Sequence, residues 1–272
     1  MTSSALASHC TESLKALPSV DPVIISDLEH AAFIYMRRVL NTCSKDEVET
    51  FQPHFRKFYR LMERTLESVT DRTVPHQSQK IDWLNSTPEY EAELLKRVAA
   101  GSADGAVMCE HGQNLVAIMR GELLAIEVLM RNNHLNDFYQ YGVGCPQTYA
   151  QLASYVDLLA HKNPTMKILE IGAGTGGASL PVLQAIGGQN GTSPRMSSYT
   201  FTDISTGFFD KAHEKFKSWL PWMTFATLDI ERDPVTQKFK EGEYDLIVAA
   251  NVLHATPSMD QTLAYVRKLL KP

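Results

Sequence analysis

Cysteine is scarce in this chain and follows no spacing pattern. The 272 residues include four cysteines, and none belongs to a Cys-x-x-Cys pair. Disulfide frameworks and structural zinc sites both depend on recurring cysteine spacings, so the sequence disfavours both. Cys109 and His111 offer two metal ligands, but no second pair follows at metal-binding spacing. We expect His111 to be an ordinary, partly buried histidine, and we predict no metal site.

Clustered positive charge and long apolar runs are also missing. Lys and Arg number 26 against 31 Asp and Glu, which gives a formal net charge of -5. Because no dense basic cluster occurs, neither nucleic acid nor an anionic membrane is an expected partner. Residues 1–10 lack a basic segment followed by an apolar run, and no stretch approaches the roughly 20 apolar residues of a membrane span. We therefore expect a cytoplasmic protein.

Up to about residue 146 the sequence is typical of helices. Helix-forming residues dominate, and apolar side chains recur at spacings of three or four in residues 28–39 and 55–66. Helices are expected to begin at the capping-box pattern of residues 26–29, at Pro88, and just after residues 113–114. Residues 1–146 are thus predicted to form a helical subdomain.

From residue 147 helical and strand patterns alternate. Helices are predicted at 149–160, 177–186, 206–220 and 259–270, and strands at 166–171, 198–203, 224–228 and 245–250. This order predicts an α/β fold with a doubly wound parallel sheet. The last strand is apolar on both faces, as in the interior of a parallel sheet, so we expect a further strand beyond residue 272. Residues 147–272 are predicted to be a Rossmann-like core that lacks its later strands.

The most informative segment is 168–177, in which a short apolar strand runs into a glycine-rich turn. Gly172, Gly174 and Gly176 lack the Cβ atoms that would keep a ligand from the backbone. Two nucleotide cofactors suit such a turn. Gly172, Gly174 and Gly177 match the dinucleotide spacing, in which a pyrophosphate binds the next helix N-terminus. Glu170, just before the turn, repels a pyrophosphate but suits the ammonium group of S-adenosylmethionine.

A second acidic residue strengthens the choice of S-adenosylmethionine. Asp203 ends the predicted second strand, where a carboxylate accepts hydrogen bonds from both ribose hydroxyls. Since both acids flank the turn, we favour the methyl donor over a nicotinamide cofactor. The predicted cofactor-binding residues at these two strand ends are Glu170, Gly172, Ala173, Gly174, Gly176, Asp203 and Ile204.

Two later strand ends complete the predicted site. Asp229 and Ile230 are expected to lie against the adenine, although Asp229 would also suit a helix cap. Asn251 is a candidate for the cofactor tail or a turn residue. His254 follows the fourth strand, where its imidazole would accept a proton during methyl transfer to a weakly acidic carbon or hydroxyl. An alternative is that His254 bonds the following helix.

Together these motifs resemble the C-methyltransferase domain of fungal highly reducing polyketide synthases and of their hybrids with peptide synthetases. The resemblance rests on residues 168–177, 199–205, 228–231 and 251–256, and upstream on 25–29, 111–114, 119–122 and 152–164. It covers nearly all of the chain after about residue 20.

The resemblance implies a helical N-terminal lid over a class I methyltransferase core. Such domains methylate the α-carbon of a β-ketoacyl chain on the phosphopantetheine arm of an acyl carrier protein, beside other synthase domains, and release S-adenosylhomocysteine. His254 matches the family's base, and the glutamate partner of that base would lie beyond Pro272. Two alternatives stay open, namely an oxygen or nitrogen methyltransferase of a free small molecule and a truncated, non-catalytic fragment.

Overall fold

The computed structural model describes residues 3–17, 21–71, 73, 81–188 and 190–272. The chain divides into two compact units. One comprises Met1–Pro18 with Gly144–Pro272, and the other comprises Ser19–Val143. The predicted subdomain boundary, between residues 146 and 147, lies close to this division. The first helix, α1 (Ser3–Glu12), groups with the later part of the chain.

The unit of Ser19–Val143 has only helices as regular secondary structure among the residues described there. They are α2 (Pro22–Thr42), α3 (Lys45–Glu49), α4 (Pro53–Thr70), α5 (Pro88–Gly101), α6 (Ala103–Arg120), α7 (Ala125–Met130) and α8 (His134–Tyr141). One apolar cluster joins α2, α5 and α6 through Ile34, Leu94 and Cys109. The ring nitrogens of His111 lie 2.9 Å and 3.1 Å from the carbonyl oxygens of Val107 and Ala125, which fits the interpretation of His111 as an ordinary histidine.

Two of the predicted helix starts in this unit are wrong. Helix α2 begins at Pro22, because Asp21 accepts the N–H of Val23 and Pro22 fits the first helical turn, so the capping-box pattern of residues 26–29 lies inside the helix. Residues 113–114 lie inside α6, which ends at Arg120 and is followed by Gly121 in a left-handed conformation. The start at Pro88 is confirmed, with Thr87 as its cap.

The other unit contains the predicted parallel sheet. Its later elements are α9 (Cys145–Lys162), β1 (Lys167–Glu170), α10 (Ser179–Gly187), β2 (Ser198–Asp203), α11 (Phe209–Lys215), β3 (Met223–Thr227), β4 (Leu246–Val248) and α12 (Met259–Leu269). Within the described residues the sheet has four strands in the order β3-β2-β1-β4, all of them parallel. This is the doubly wound arrangement, and the carboxyl ends of all four strands lie along one edge of the sheet.

Apolar side chains cover both faces of this sheet. Successive residues of β1 enter different clusters, Ile168 with Tyr199 and Phe201, and Leu169 with Leu228. This alternation follows from the two-residue period of a strand. Within the strand bounds given above, β4 pairs with β1. Next to β4, Tyr244 forms a parallel bridge with Leu270, which follows α12. The further strand expected beyond residue 272 stays a prediction. No helix in the described part of the chain is both long enough and apolar enough to cross a membrane.

One predicted helix is broken in the structure. Residues 206–220 were expected to form a single helix, but a 3-10 turn at Thr206–Phe208 precedes α11, and α11 ends at Lys215. The chain leaves the helix there because the buried Phe216 ring packs beside Gly176, and Trp219 packs into the same core. Tertiary packing therefore overrides the local helical pattern.

Gly176 is expected to be the most sensitive glycine of the turn. Its φ is +70°, and an added Cβ would lie 2.5 Å from Cζ of Phe216. We expect Gly176→Ala to lower the free energy of unfolding by about 3 kcal/mol, since it combines backbone strain with a clash against a buried ring. Urea unfolding followed by tryptophan fluorescence measures this change.

Gly242→Ala is the matched control for that measurement. Gly242 has φ +62°, but an added Cβ would meet nothing within 4 Å. Its cost is the left-handed conformation alone, about 1 kcal/mol. Equal losses in the two variants would show that the Phe216 contact contributes nothing.

Candidate cofactor and catalytic site

The glycine turn lies between β1 and α10, and its glycines are in the left-handed region. Gly172, Gly174 and Gly176 have φ of +62°, +51° and +70°. An added Cβ at Gly172 would lie 2.4 Å from Cγ2 of Val252. At Gly174 the nearest atoms would be 3.9 Å away, and one of them is Oδ2 of Asp203. Gly172 and Gly176 therefore serve internal packing, whereas Gly174 leaves space beside a carboxylate.

Asp203 connects the end of β2 to this turn. Its Oδ2 accepts the N–H of Gly174 at 3.0 Å, and its Oδ1 accepts the N–H of Ser205 at 2.9 Å. Each carboxylate oxygen still has a lone pair for a further donor. Ala173 is fixed to the same strand, since its N–H donates to the carbonyl of Thr202 at 2.8 Å. The side chain of Ile204 is 70% exposed, so an apolar surface lies beside Asp203 for a ligand to cover.

Glu170 ends β1 and lies in the interior. Only 1% of its surface is exposed, and its Oε2 accepts hydrogen bonds from Ser179 Oγ and Tyr199 OH, each at 2.6 Å. Burial raises the pKa of Glu170 to about 6, although both hydroxyls and the cation of Lys215 favour the charged form. The sequence predicts that Glu170 contacts the ammonium group of the cofactor. That contact stays a prediction, because Oε2 already has two protein donors.

In the segment after β3, the side chain of Gln237 fixes the backbone of Asp229. The side chain of Gln237 accepts the N–H of Asp229 at 2.9 Å and donates to its carbonyl at 2.8 Å. Asp229 Oδ1 accepts the N–H of Glu231, whereas Asp233 caps the 3-10 helix Pro234–Gln237. The alternative of Asp229 as the cap of that helix is therefore wrong. Ile230 is buried in the cluster with Leu169 and Leu228, so most of its side chain packs against the protein.

The loop after β4 carries His254. Asn251 has φ +56°, which agrees with its alternative role as a turn residue. Its side-chain Nδ2 lies 3.5 Å from Tyr149 OH. His254 is exposed on the 3-10 turn Leu253–Ala255, and its ring forms no hydrogen bond with any residue that the structure describes. Ser258 caps α12, so the alternative in which His254 bonds that helix is not observed.

The predicted site residues thus gather along one edge of the sheet. Glu170 is opposite Val248 in the register of β1 and β4, and Asp203 is opposite Thr227 in that of β2 and β3. Val252 packs at Gly172, so the loop with His254 touches the glycine turn directly. The sequence did not identify the residues that support these groups, which are Ser179, Tyr199, Lys215, Gln237 and Thr256. Their partners are distant in sequence or belong to irregular segments.

One family model and two longer proteins are similar to this chain. A family model described as a methyltransferase domain matches residues 169–272. The highly reducing polyketide synthase azaB of Aspergillus niger is 38% identical over 270 residues, which are 98% of this chain and 10% of that protein. The polyketide synthase-nonribosomal peptide synthetase ffsA of Aspergillus flavipes is 39% identical over 246 residues, which are 90% and 6% of the two chains. This chain therefore spans a tenth or less of the length of these relatives.

Two solved structures have a similar fold, and one of them contains S-adenosylhomocysteine. The trans-methyltransferase CalH, in complex with S-adenosylhomocysteine, is 29% identical with a TM-score of 0.79, over 92% of this chain and 68% of that one. The CurJ carbon methyltransferase is 26% identical with a TM-score of 0.76, over 99% and 76% of the two chains. The fold, the glycine turn and these similarities agree that the chain belongs to the S-adenosylmethionine-dependent C-methyltransferase domains of polyketide synthases.

Proposed function

We propose that this domain methylates the α-carbon of a β-ketoacyl chain that an acyl carrier protein presents as a thioester, with His254 as the general base. The observation that carries the proposal is the packing of Val252 at Gly172. It brings the loop that carries His254 against the glycine turn, and the His254 imidazole is exposed and forms no hydrogen bond with the described residues. This contact supports a position for the proton acceptor next to the bound cofactor.

The residues present fit S-adenosylmethionine. Asp203 has free acceptor capacity for ribose hydroxyls, and the space at Gly174 allows a nucleotide to approach the backbone. Glu170 adds negative charge at the start of the turn, which a cationic cofactor tolerates and a pyrophosphate does not. Ile204 and the segment at Asp229 and Ile230 are proposed to border the adenine. The cofactor supplies an electrophilic methyl group when bound.

His254 is proposed to remove the α-proton of the acyl chain. A carbon between a ketone and a thioester is acidic enough for a neutral imidazole to deprotonate, particularly when nearby donors stabilise the enolate. The hydroxyl of Thr256 donates to the carbonyl of Leu253 at 2.8 Å and accepts from Thr262 Oγ1 at 2.8 Å, which fixes the turn of His254. A backbone turn held in this way limits the positions that the imidazole can sample, which would lower the entropic part of the barrier.

The relatives suggest the setting of the reaction. Since azaB and ffsA are much longer synthases, we propose that other synthase domains and a carrier protein accompany this domain.

A transfer assay tests the proposal. The chain is incubated with S-adenosylmethionine and a β-ketoacyl carrier protein, and mass spectrometry locates the added methyl group. We expect one methyl on the α-carbon and none on a matched saturated acyl chain, whose α-proton is far less acidic. Methylation of an oxygen or of a free acid would favour a small-molecule methyltransferase, and binding of the carrier protein without transfer would favour a non-catalytic segment.

A further inference from the structure

Glu170, Ser179 and Tyr199 form a buried polar cluster. Close packing of the core does not by itself require polar side chains at these positions. The side chains of Ser179 and Tyr199 are fully buried, and both donate to the same oxygen of Glu170. A buried charged cluster is often no more stabilising than apolar residues of similar volume. Polar groups of this kind, with shifted pKa values, are concentrated at functional sites.

The cluster is joined to the cofactor turn on both sides of Glu170. The hydroxyl of Thr202 donates to the carbonyl of Glu170 at 2.6 Å, so β2 fixes the backbone as well as the side chain of this residue. Lys215, at the end of α11, donates to the carbonyl of Thr175 at 3.1 Å, in the centre of the turn. Residues that act on Glu170 thus also hold the backbone of β1 and of the glycine turn.

Several titratable and polar groups act on the Glu170 carboxyl. Ser179 from α10, Tyr199 from β2 and Lys215 from α11 favour its charged form, whereas Asp203 from β2 and burial itself oppose it. Burial and the charge of Glu170 raise the pKa of Tyr199 well above its usual range, so the phenol keeps its proton and is always the donor. Burial lowers the pKa of Lys215, and the charge of Glu170 opposes that shift.

We propose that Tyr199 and Ser179 are positioning residues for the methyl donor, because their hydroxyls hold Glu170 as a fixed carboxylate at the start of the glycine turn. The cationic end of S-adenosylmethionine then meets a negative charge that is already in place. This inference rests on the proposed role of Glu170 in cofactor binding. It adds that Ser179 and Tyr199, which are not expected to contact the ligand, set the pH range in which Glu170 is charged.

The test is the pH dependence of S-adenosylhomocysteine binding, measured by calorimetry between pH 5 and 9. In the wild-type chain we expect the affinity to fall as the pH drops through about 6, where Glu170 takes up a proton. Tyr199→Phe removes one donor to the carboxylate, which disfavours the charged form and raises its pKa. The midpoint is expected to rise by about one to two pH units, so affinity at pH 7 falls by up to about tenfold and recovers near pH 9.

The recovery separates positioning from a general structural role. If Tyr199→Phe only loosened the core, affinity would fall by the same factor at every pH, and the proposal would be overturned. Ser179→Ala is the second variant in case Tyr199→Phe does not fold, and it should shift the midpoint in the same direction. Glu170→Gln should lose the pH dependence.

Tyr244→Phe is the matched control, since Tyr244 is another buried tyrosine of this unit that does not contact Glu170. Its midpoint should equal that of the wild type. If the wild-type chain fails to bind S-adenosylhomocysteine at any pH, the proposed function fails as well. If it binds but the midpoints of wild type, Tyr199→Phe and Ser179→Ala coincide, only the positioning role is overturned.

Discussion

His254→Ala is expected to reduce methyl transfer by a factor of roughly 10² to 10⁴ while the affinity for S-adenosylhomocysteine stays unchanged. This is the range that a positioned general base contributes to a rate. Binding should persist because His254 is exposed and forms no hydrogen bond with the described residues of the cofactor turn. Single-turnover transfer to the β-ketoacyl carrier protein and calorimetry with S-adenosylhomocysteine measure the two quantities.

His161→Ala is the control for loss of an imidazole. His161 lies in the last turn of α9, where its Nδ1 contacts Arg195, and α9 leads into the amino end of β1. This variant should transfer the methyl group at the wild-type rate. If His254→Ala also transferred at that rate, another group would be the base. If it lost affinity and rate in equal proportion, His254 would act in cofactor binding.

Local patterns were sufficient to predict the parts of the site that depend on chain order. The predicted second strand, 198–203, has the bounds of β2, and the predicted doubly wound parallel sheet is observed. Since parallel neighbours end at one edge of a sheet, Glu170, Asp203 and His254 were expected to be neighbours. The glycine turn was also predicted, because its glycine spacing is contained within a few residues.

Local sequence patterns did not predict the contacts between distant segments. Tyr199 is 29 positions from Glu170, and nothing in either segment indicates that the phenol donates to the carboxylate. The sequence showed two acids and assigned both to ligand contacts, whereas their hydrogen-bond partners differ. Asp203 accepts from backbone N–H groups, and Glu170 accepts from side-chain hydroxyls. Local pattern also failed for α2, where Asp21 and Pro22 start the helix before the capping box.

Asp203→Ala is expected to weaken S-adenosylhomocysteine binding by at least about a hundredfold. The carboxylate is proposed to accept two ribose hydroxyls, and charge-assisted hydrogen bonds contribute about 1.5 to 3 kcal/mol each. Loss of its bonds to the N–H groups of Gly174 and Ser205 also frees the turn, which adds to the cost of ordering it around the ligand. Calorimetric titration of the purified chain measures this affinity.

Two further variants separate these contributions. Asp203→Asn retains one acceptor for a backbone N–H but carries no charge, so we expect a loss of about tenfold, between wild type and Asp203→Ala. Asp210→Ala removes an exposed carboxylate in the first turn of α11, and it should bind as the wild type does. If Asp203→Asn bound as weakly as Asp203→Ala, the charge would account for the whole effect. If both bound like the wild type, the ribose would not contact Asp203.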